Sequence, residues 1–443
     1  MIKNKILFIN PPAFAVDDAF RSSVNPPLNL AYLISSLTVH GHSVALLDLG
    51  LESIIKYGPR GNNRLLDRFL RGKPDRDFLA FFRMKLQDMF APDKYTFAAM
   101  NADLYPIAFY CLRHVKLISP ETVTIVGGTT PTECYGSFIS KKQIDYVVLD
   151  EGENTLPHLI KFLLAEEKVD SVPGIVFKRN GSFIKTAKRE PIELSSKHLP
   201  DYSCFDMNSY LRINGNRLMI LSARGCRGNC KFCGMPRHLP SRVRKAKDIV
   251  REIEFLKNQY GVNNFTFFNS MMNITNSHIE AICQELNNRN LEIQFSCYLK
   301  ADKYIDSNTF DVLKTAGCNA VDFGIESGSQ RILDHYQKGI SIGHAVNMAK
   351  LARVKGLKVR CTFIWGFPEE NWHDFLSSLY VYLRIRLTCS GFFEFRVSES
   401  SEYYRNIEHY TADFYEDAIR IRILRFPLRT VIKRFIAKII QKL

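Results

Sequence analysis

The sequence predicts an α/β protein: an amino-terminal doubly wound parallel sheet (Rossmann-like), then a partial (βα)6 TIM-like barrel, then a helical tail. Two observations carry this prediction. Apolar runs of strand length alternate with helical patterns in two separate series, which is the rhythm of parallel sheets. A stretch rich in proline and serine separates the series. We therefore expect a Rossmann-like domain over 1–171, a linker with a hairpin over 172–216, a barrel over 217–397 and a tail over 398–443.

Composition narrows the class of protein. The chain has 443 residues, 46% of them hydrophobic, which is enough for two or three domains. Its formal net charge of +15 favours anionic neighbours but identifies no partner. Eleven diluted cysteines, and no signal-peptide pattern in Met1–Asn10, favour a reducing cytoplasm over a disulfide scaffold. Apolar runs such as Val44–Leu49 are far shorter than the roughly 20 residues that span a bilayer.

The first series begins with the apolar strand Lys5–Asn10, which ends at Pro11 and Pro12, where neither a helix nor a strand ladder continues. Its later strands are predicted at Val44–Asp48, Thr96–Ala99, Val123–Val126 and Tyr146–Leu149. The charged, helical stretch Lys56–Pro92 has the character of an insertion. Because doubly wound sheets bind ligands at the carboxyl ends of their strands, the turns Gly127-Gly128 and Glu151-Gly-Glu153 are placed at the binding edge.

The second series follows the linker, in which Arg179-Asn-Gly181 predicts a hairpin turn. Six strands are predicted, at Leu218–Ser222, Phe265–Asn269, Glu292–Cys297, Ala320–Ile325, Lys358–Trp365 and Gly391–Val397. Each is separated from the next by a helical pattern, so six βα units fit a partial barrel. Glu416–Leu443 is then predicted to form a basic, amphipathic helical segment.

Three cysteines share one loop directly after the first barrel strand. Cys226, Cys230 and Cys233 have the spacing C-x3-C-x2-C, and thiolates are the ligands that iron–sulfur clusters require. A cubane cluster has four irons, so three cysteines leave one iron open to another ligand. Gly225, Gly228 and Gly234 let the backbone fold closely around a bulky centre, and Phe232 can shield it.

A structural zinc site is the alternative from another class of protein, a non-enzymatic interaction module. It requires a fourth ligand, which His238, five positions after Cys233, could supply. The other cysteines have no partner spacing and are expected to be buried and inert. They are Cys111, Cys134, Cys204, Cys283, Cys297, Cys318, Cys361 and Cys389.

With these motifs the chain resembles the radical S-adenosylmethionine (radical SAM) superfamily. Gly324-Ile-Glu-Ser-Gly-Ser329 is similar to the family's fourth-strand motif, which implies that Glu326 and Ser327 contact the ribose or methionine of the cosubstrate. Thr362–Glu369 is similar to its fifth-strand motif, which implies that Ile364 lies against the adenine, as does the backbone of Phe232. The resemblance implies a [4Fe–4S] cluster that cleaves S-adenosylmethionine to a 5′-deoxyadenosyl radical, using an external electron donor such as flavodoxin or ferredoxin.

The amino-terminal series resembles the cobalamin-binding domain that precedes the barrel in one subclass of this superfamily. The resemblance rests on Asn10-Pro-Pro12, Pro26–Tyr32, His40-Gly-His42, Gly127–Thr132 and Asp145–Glu153. Without a side chain, Gly127 and Gly128 would let a corrin ring or a nucleotide approach the sheet closely; the alternative is that both are plain turn glycines. No Asp-x-His-x-x-Gly motif is present, so no histidine is expected below the cobalt.

Within that subclass, methyl transfer to an unactivated carbon or phosphorus of a small-molecule or lipid substrate is implied, or a related radical modification. Asn29, the stretch Ala98–Asp103 and Asn269 depart from the subclass pattern. A transfer-RNA methylthiotransferase is the enzymatic alternative, although neither its extra cysteine set nor a dedicated nucleic-acid domain is visible. The basic tail either packs on the barrel or attaches peripherally to anionic lipid at the inner face of the membrane.

Overall fold

The fold is that of a computed structural model, which describes residues 5–13, 24–91, 95–103, 105–195, 199–234, 239–268, 271–385 and 391–394. The tail from residue 398 onward lies outside the described residues. So do His238, Asn269 and Cys389. In the part of the chain that is described, no helix has both the length and the apolar character needed to cross a membrane.

A seven-stranded, mostly parallel sheet forms the first layer. Its strands are β1 (Lys5–Asn10), β2 (Ser43–Asp48), β3 (Phe97–Asn101), β4 (Val123–Gly127), β5 (Tyr146–Val148), β6 (Ile175–Arg179) and β7 (Ser182–Lys185). The order is β2-β1-β3-β4-β5-β6-β7, with the first five strands parallel. The order 2-1-3-4-5 is that of a doubly wound sheet. β2 is added on one side of β1 and the later strands are added on the other side, so the strand order reverses between β1 and β3. The predicted Rossmann-like sheet is confirmed.

Helices cover both faces of this sheet. They are α1 (Leu28–Val39), α2 (Leu49–Leu70), α3 (Arg76–Phe90), α4 (Tyr105–Ile118), α5 (Thr129–Glu133), α6 (Tyr135–Ile139) and α7 (Gly152–Leu164). The charged stretch 56–92 is helical, as predicted. It is not an appendage, because Leu66, Phe78 and Phe82 are buried in one core with Leu7 and Ile9 of β1. The stretch therefore belongs to the layer that covers the sheet.

The predicted hairpin at Arg179 is present, but its position corrects the sequence analysis. Asn180 and Gly181 have φ of 50° and 79°, the positive values that a tight two-residue hairpin turn requires. β6 pairs antiparallel with β5, with Ile175 opposite Val148. The hairpin was assigned to the linker, whereas its backbone hydrogen bonds place it at the edge of the first sheet. The connection between the two sheets thus starts after Lys185.

The second sheet has six parallel strands in chain order. The elements are α8 (Met207–Asn214), β8 (Arg217–Ile220), β9 (Ala223–Arg224), β10 (Arg242–Val243), α9 (Ala246–Tyr260), β11 (Asn264–Phe267), α10 (Asn276–Asn288), β12 (Gln294–Leu299), α11 (Ser307–Thr315), β13 (Cys318–Glu326), α12 (Gln330–His335), α13 (Ile342–Val354), β14 (Lys358–Trp365), α14 (Trp372–Ile385) and β15 (Gly391–Glu394). The order is β15-β14-β13-β12-β11-β8, and β8 does not pair with β15 among the described residues. The barrel is therefore partial, as predicted.

β9 and β10 form a separate antiparallel ribbon, with Arg242 opposite Arg224. The cysteine loop leaves from one strand of this ribbon and returns through the other. The ribbon is consequently the base of the loop.

The two sheets share one apolar core. Ile34 of α1, Tyr202 of the connection, and Ile249 and Ile253 of α9 belong to the same buried cluster. Because the cluster is continuous, the carboxyl ends of the first sheet and the mouth of the barrel are held in fixed proximity.

Candidate functional site

Two glycines of the cysteine loop lie so close to neighbouring atoms that a side chain would crowd them. Gly225 has φ of 83°, and a Cβ there would come within 2.9 Å of the Pro240 carbonyl oxygen. A Cβ on Gly228 would lie 3.3 Å from Cys226 Sγ and 3.7 Å from Cys230 Sγ. The Gly228 amide donates to Cys226 Sγ over 3.2 Å. The backbone is thus folded around the sulfur atoms, as expected from the sequence.

Two lysines bring positive charge to the cysteine loop. Lys300, which follows β12, reaches the loop, since its Nζ lies 3.6 Å from the position that a Cβ on Gly228 would occupy. Burial raises the pKa of the Cys230 thiol, and the ammonium groups of Lys338 and Lys300 oppose that rise. Burial lowers the pKa of Lys338, but Glu326 and Cys230 outweigh it, so the net shift is upward. Both cations favour negative charge on the loop.

An aromatic cluster joins the cysteine loop to the fifth barrel strand. The ring of Phe232 lies 6.0 Å from Tyr336 and 5.8 Å from Phe367, measured between centroids. Ile364 of β14 packs in the same cluster. The structure therefore brings Phe232 and Ile364, which are far apart in the sequence, to one place beside the loop.

Glu326 and Ser327 are neighbours in sequence but have different surroundings. Glu326 has φ of 70°, unusual for a residue with a side chain, and its carboxylate lies 3.0 Å from Lys338 Nζ. Ser327 is fully buried, and its hydroxyl lies 3.3 Å from that of Ser378 on α14. Only the side chain of Glu326 joins the group around the cysteine loop. The hydroxyl of Ser327 packs against a helix instead.

A cavity of about 870 Å³ lies between the carboxyl ends of the first sheet and the barrel mouth. Gly127 and Gly128 line it on one side, and Gly225 lines it on the other. Gly128 has φ of 126°, and a Cβ there would come within 2.7 Å of Asp103 Oδ1. At Gly127 a Cβ would make only ordinary contacts. Among the lining residues, which all belong to the described ranges, none is a histidine.

Four charged residues at the rim of this cavity form a cluster that sequence reasoning missed. Arg224 donates to Glu151 over 3.0 Å and also to Glu153. Arg242 donates to both oxygens of Glu151, over 2.7 and 2.9 Å. Burial raises the pKa of Glu151, but the two guanidinium groups reverse this and hold it below its usual value. The sequence placed Glu151, Glu153 and Arg224 beside the ends of predicted strands but gave no strand near Arg242, and no local signal indicated that the four residues meet.

A second polar network is buried in the interface between the sheets. Arg244 and Glu252 form an ion pair of 2.7 Å whose side chains are 4% and 0% exposed. Tyr32 of α1 accepts from Arg244 over 3.0 Å and donates to Glu252 over 3.2 Å. This network ties the first sheet to the barrel.

The zinc alternative depends on a residue outside the described ranges, His238. Where the chain is described, no three His, Cys, Asp or Glu side chains are arranged to hold a single metal ion. Cys111 and Cys283 are buried, and burial raises the pKa of each thiol to about 12. Such thiols are unreactive, as predicted for these two.

Comparison with known proteins assigns the barrel part of the chain to a family. Residues 220–379 match the radical SAM superfamily. An uncharacterized methyltransferase of Pyrococcus horikoshii is 25% identical over 373 residues, 83% of this chain and 75% of the relative. The anaerobic magnesium-protoporphyrin IX monomethyl ester cyclase of Synechocystis is 23% identical over 379 residues, 85% of this chain and 71% of the relative.

A solved structure has the same architecture. It is that of the radical S-adenosylmethionine methyltransferase TsrM from Kitasatospora setae, with cobalamin and a [4Fe–4S] cluster bound; the TM-score is 0.73 at 17% identity. The match covers 91% of this chain and 74% of that one. At this identity the likeness shows the fold. The present chain is therefore an enzyme that contains a radical SAM domain over residues 220–379, and its fold is that of TsrM.

Proposed function

We propose that this enzyme methylates a small molecule, using a [4Fe–4S] cluster on Cys226, Cys230 and Cys233 together with S-adenosylmethionine and cobalamin. The observation that carries the proposal is the position of the cavity. It opens between Gly128 of the first sheet and Gly225, the residue before Cys226. A ligand in the cavity and a cluster on the loop would thus face each other across the barrel mouth.

The cysteine loop fits a cluster with one open iron. Three half-buried thiols share the loop, and Gly228 leaves the space between the sulfur atoms of Cys226 and Cys230 free of a side chain. The ammonium groups of Lys338 and Lys300 offset the negative charge that thiolates bring. When bound, the cluster supplies one electron to the cosubstrate. As a radical SAM enzyme the protein needs an external reductant, for which we propose flavodoxin or ferredoxin.

The cosubstrate fits beside the loop. We assign Phe232 and Ile364 to the adenine, because both belong to one apolar cluster next to the cysteines. Glu326 holds the polar part of the molecule through its carboxylate, supported by Lys338. Ser327 would contribute through its backbone, since its hydroxyl is engaged by Ser378.

The cavity fits part of a cobalamin. Its volume of about 870 Å³ is near the upper end of ordinary ligand pockets. It lies at the edge where doubly wound sheets bind ligands, beside the point where the strand order reverses. Gly128 provides the close approach, whereas Gly127 has room for a side chain. Because no lining residue in the described ranges is a histidine, we expect no histidine below the cobalt.

A cyclisation or another radical modification is the second candidate, favoured by the extended match to the ester cyclase of Synechocystis.

Two further proposals concern the surroundings of the enzyme. A lipid substrate and attachment of the basic tail to anionic lipid at the inner face of the membrane remain predictions, as does the cytoplasmic location. We propose domain divisions at residues 171, 216 and 397, with the hairpin of β6 and β7 assigned to the first domain because β6 pairs with β5.

Anaerobic reconstitution tests the proposed function. The protein is supplied with iron, sulfide, hydroxocobalamin and S-adenosylmethionine, then reduced. We expect a brown protein that retains cobalamin through gel filtration and forms 5′-deoxyadenosine. S-adenosylhomocysteine formed in the presence of substrate favours methyl transfer, and its absence during substrate consumption favours the second candidate. A colourless protein that binds zinc would support the interaction module instead.

A further inference from the structure

We infer that Glu151, Arg224 and Arg242 form a clamp that couples the ligand in the cavity to the cysteine loop. In this role Arg224 is a positioning residue: it acts on the cosubstrate through the loop that it holds. The inference rests on the proposed function, because it concerns how the two halves of that site communicate.

The clamp closes the base of the cysteine loop. Arg224 ends β9, two positions before Cys226, and Arg242 begins β10, where the loop returns. Both guanidinium groups bind the same carboxylate, that of Glu151, over 3.0 and 2.7 Å. Glu153 binds the second terminal nitrogen of Arg224. The entry and the exit of the loop are therefore joined through one side chain of the first sheet's unit.

The surroundings of the clamp make it stiff. The side chains of Glu151, Arg224 and Arg242 are 10%, 21% and 17% exposed, so water screens their contacts only in part. Arg242 also donates to the Ile192 carbonyl over 2.6 Å, and Glu151 accepts from the Ile192 amide over 2.9 Å. Bidentate guanidinium–carboxylate contacts of this kind fix orientation as well as distance.

The ribbon itself cannot supply this stiffness. β9 and β10 contain two residues each, and a two-stranded ribbon of that length has little stability of its own. Glu151 and Glu153 are thus the side chains through which the first sheet's unit holds the base of the loop, whereas Arg227, paired with Asp302, ties the loop to the barrel. Glu151 and Glu153 lie where β5 passes into α7.

The same residues form the wall of the cavity. Glu151, Glu153, Arg224 and Arg242 all line it. A ligand in the cavity therefore contacts the clamp directly, while the cysteines lie just beyond Arg224. Because group transfer between bound molecules depends steeply on their separation, a clamp at this point fixes the distance that matters for the reaction.

The test measures the coupling between the two ligands. The dissociation constant of S-adenosylmethionine is determined by equilibrium dialysis on full-length, cluster-loaded protein, with and without hydroxocobalamin. In the wild type we expect the two constants to differ at least fivefold, which is the lower end of typical coupling between sites. In Arg224→Gln the ratio should fall to about 1. Iron content should be unchanged, and hydroxocobalamin should still bind.

Three companion variants separate coupling from general damage. Arg224→Lys keeps the charge, so its ratio of dissociation constants should lie between those of Arg224→Gln and the wild type. Glu153→Gln removes one of the two carboxylates that hold Arg224 and should give an intermediate ratio, even if Arg224→Gln does not fold. Arg179→Gln breaks the contact with Asp170, a pair outside the cavity lining, and should behave as wild type.

The outcomes distinguish the inference from the proposed function. Wild-type protein that binds no hydroxocobalamin, or that holds no cluster, contradicts the proposed function. If wild-type protein binds both ligands but the dissociation constant of S-adenosylmethionine is the same with and without hydroxocobalamin, a ratio of about 1, only the clamp is overturned. A ratio that survives unchanged in both Arg224→Gln and Glu153→Gln overturns it as well.

Discussion

The ammonium group of Lys338 lies 3.0 Å from Glu326 Oε1, at the end of β13 and beside the cysteine loop. Glu326 adopts φ of 70°, a strained backbone that the surrounding structure has to maintain. Thr362 of β14 also donates to its carboxylate, over 3.4 Å. A charged side chain held from two directions on a strained backbone is characteristic of a binding position.

Glu326→Gln should weaken binding of S-adenosylmethionine without loss of the cluster. The substitution keeps the shape but removes the charge, and a hydrogen bond to a charged group contributes about 1.5–3 kcal/mol, or roughly tenfold to a hundredfold in affinity. Equilibrium dialysis and iron analysis measure both properties. Glu285→Gln is the matched control, because it breaks an ion pair of 2.8 Å between Glu285 on α10 and Arg289, the residue that follows the helix. Equal affinity in the two variants would remove Glu326 from the site.

Cys226→Ala, Cys230→Ala and Cys233→Ala should each abolish formation of 5′-deoxyadenosine. A cluster that loses one of three thiolates lacks a stable set of ligands. Iron content and cleavage are measured on the same reconstituted samples and should fall together. Cys111→Ala removes a buried thiol of α4 in the first sheet's core and should retain iron. Wild-type turnover in any of the three loop variants would exclude that cysteine as a ligand.

Gly128→Ala should weaken cobalamin binding by about fivefold or more. The new Cβ would come within 2.7 Å of Asp103 Oδ1, and φ of 126° is unfavourable for any residue with a side chain. Strain of this kind costs about 1–3 kcal/mol. Gly136→Ala is the control, because nothing lies within 4 Å of a Cβ at that position.

Titration with hydroxocobalamin, followed by absorption, compares the two glycine variants. The wild-type spectrum should show no histidine bound to cobalt. Thermal unfolding of both variants checks that a loss of binding in Gly128→Ala is not a loss of fold. A histidine-bound spectrum, or equal affinity in the two variants, would contradict this assignment of the cavity.

Glu252→Ala should destabilise the protein by about 3–5 kcal/mol, because it leaves the buried guanidinium of Arg244 without its partner. Urea unfolding under reducing conditions measures the change. Lys355→Gln breaks an ion pair of 2.7 Å with Asp311 at the surface and should cost about 0–1 kcal/mol. Similar losses in the two variants would show that the buried Arg244–Glu252 pair contributes no more to stability than a surface ion pair.

His278 should make the folded state sensitive to acid. Burial lowers its pKa to about 4, below the value of an exposed histidine. Protonation therefore favours the unfolded chain: the contribution to stability is complete above the unfolded pKa of about 6.5 and is lost as the pH falls toward the folded pKa. The loss amounts to about 3 kcal/mol.

His278→Gln should remove this part of the pH dependence. Urea unfolding of the cluster-free protein at about pH 7 and about pH 4.5 gives the slope for wild type and variant, and their difference isolates the histidine from the carboxylates. Parallel slopes would mean that His278 titrates normally in the folded protein.

Much of the fold could be predicted because its signals are local. Strands β1 and β14 match their predicted bounds residue for residue, since apolar runs and flanking breakers are visible in any short window. The cysteine loop was visible for the same reason, because its three ligand positions lie within eight residues. β13 is longer than predicted, Cys318–Glu326, because its neighbours β12 and β14 extend the ladder.

The tertiary structure decided which distant residues meet. Glu151 and Arg224 are 73 positions apart, and only the packing of two sheets makes one the partner of the other. The hairpin of β6 and β7 carried a clear turn signal, but its place in the first sheet depends on pairing with β5. Likewise, Ser327 follows Glu326 in one motif, but its hydroxyl contacts Ser378 on α14 and not the cysteine loop, because that helix packs against it in the folded chain. Sequence patterns report what one segment favours, whereas charge pairs, shared carboxylates and cavities are properties of segments that meet only in the folded chain.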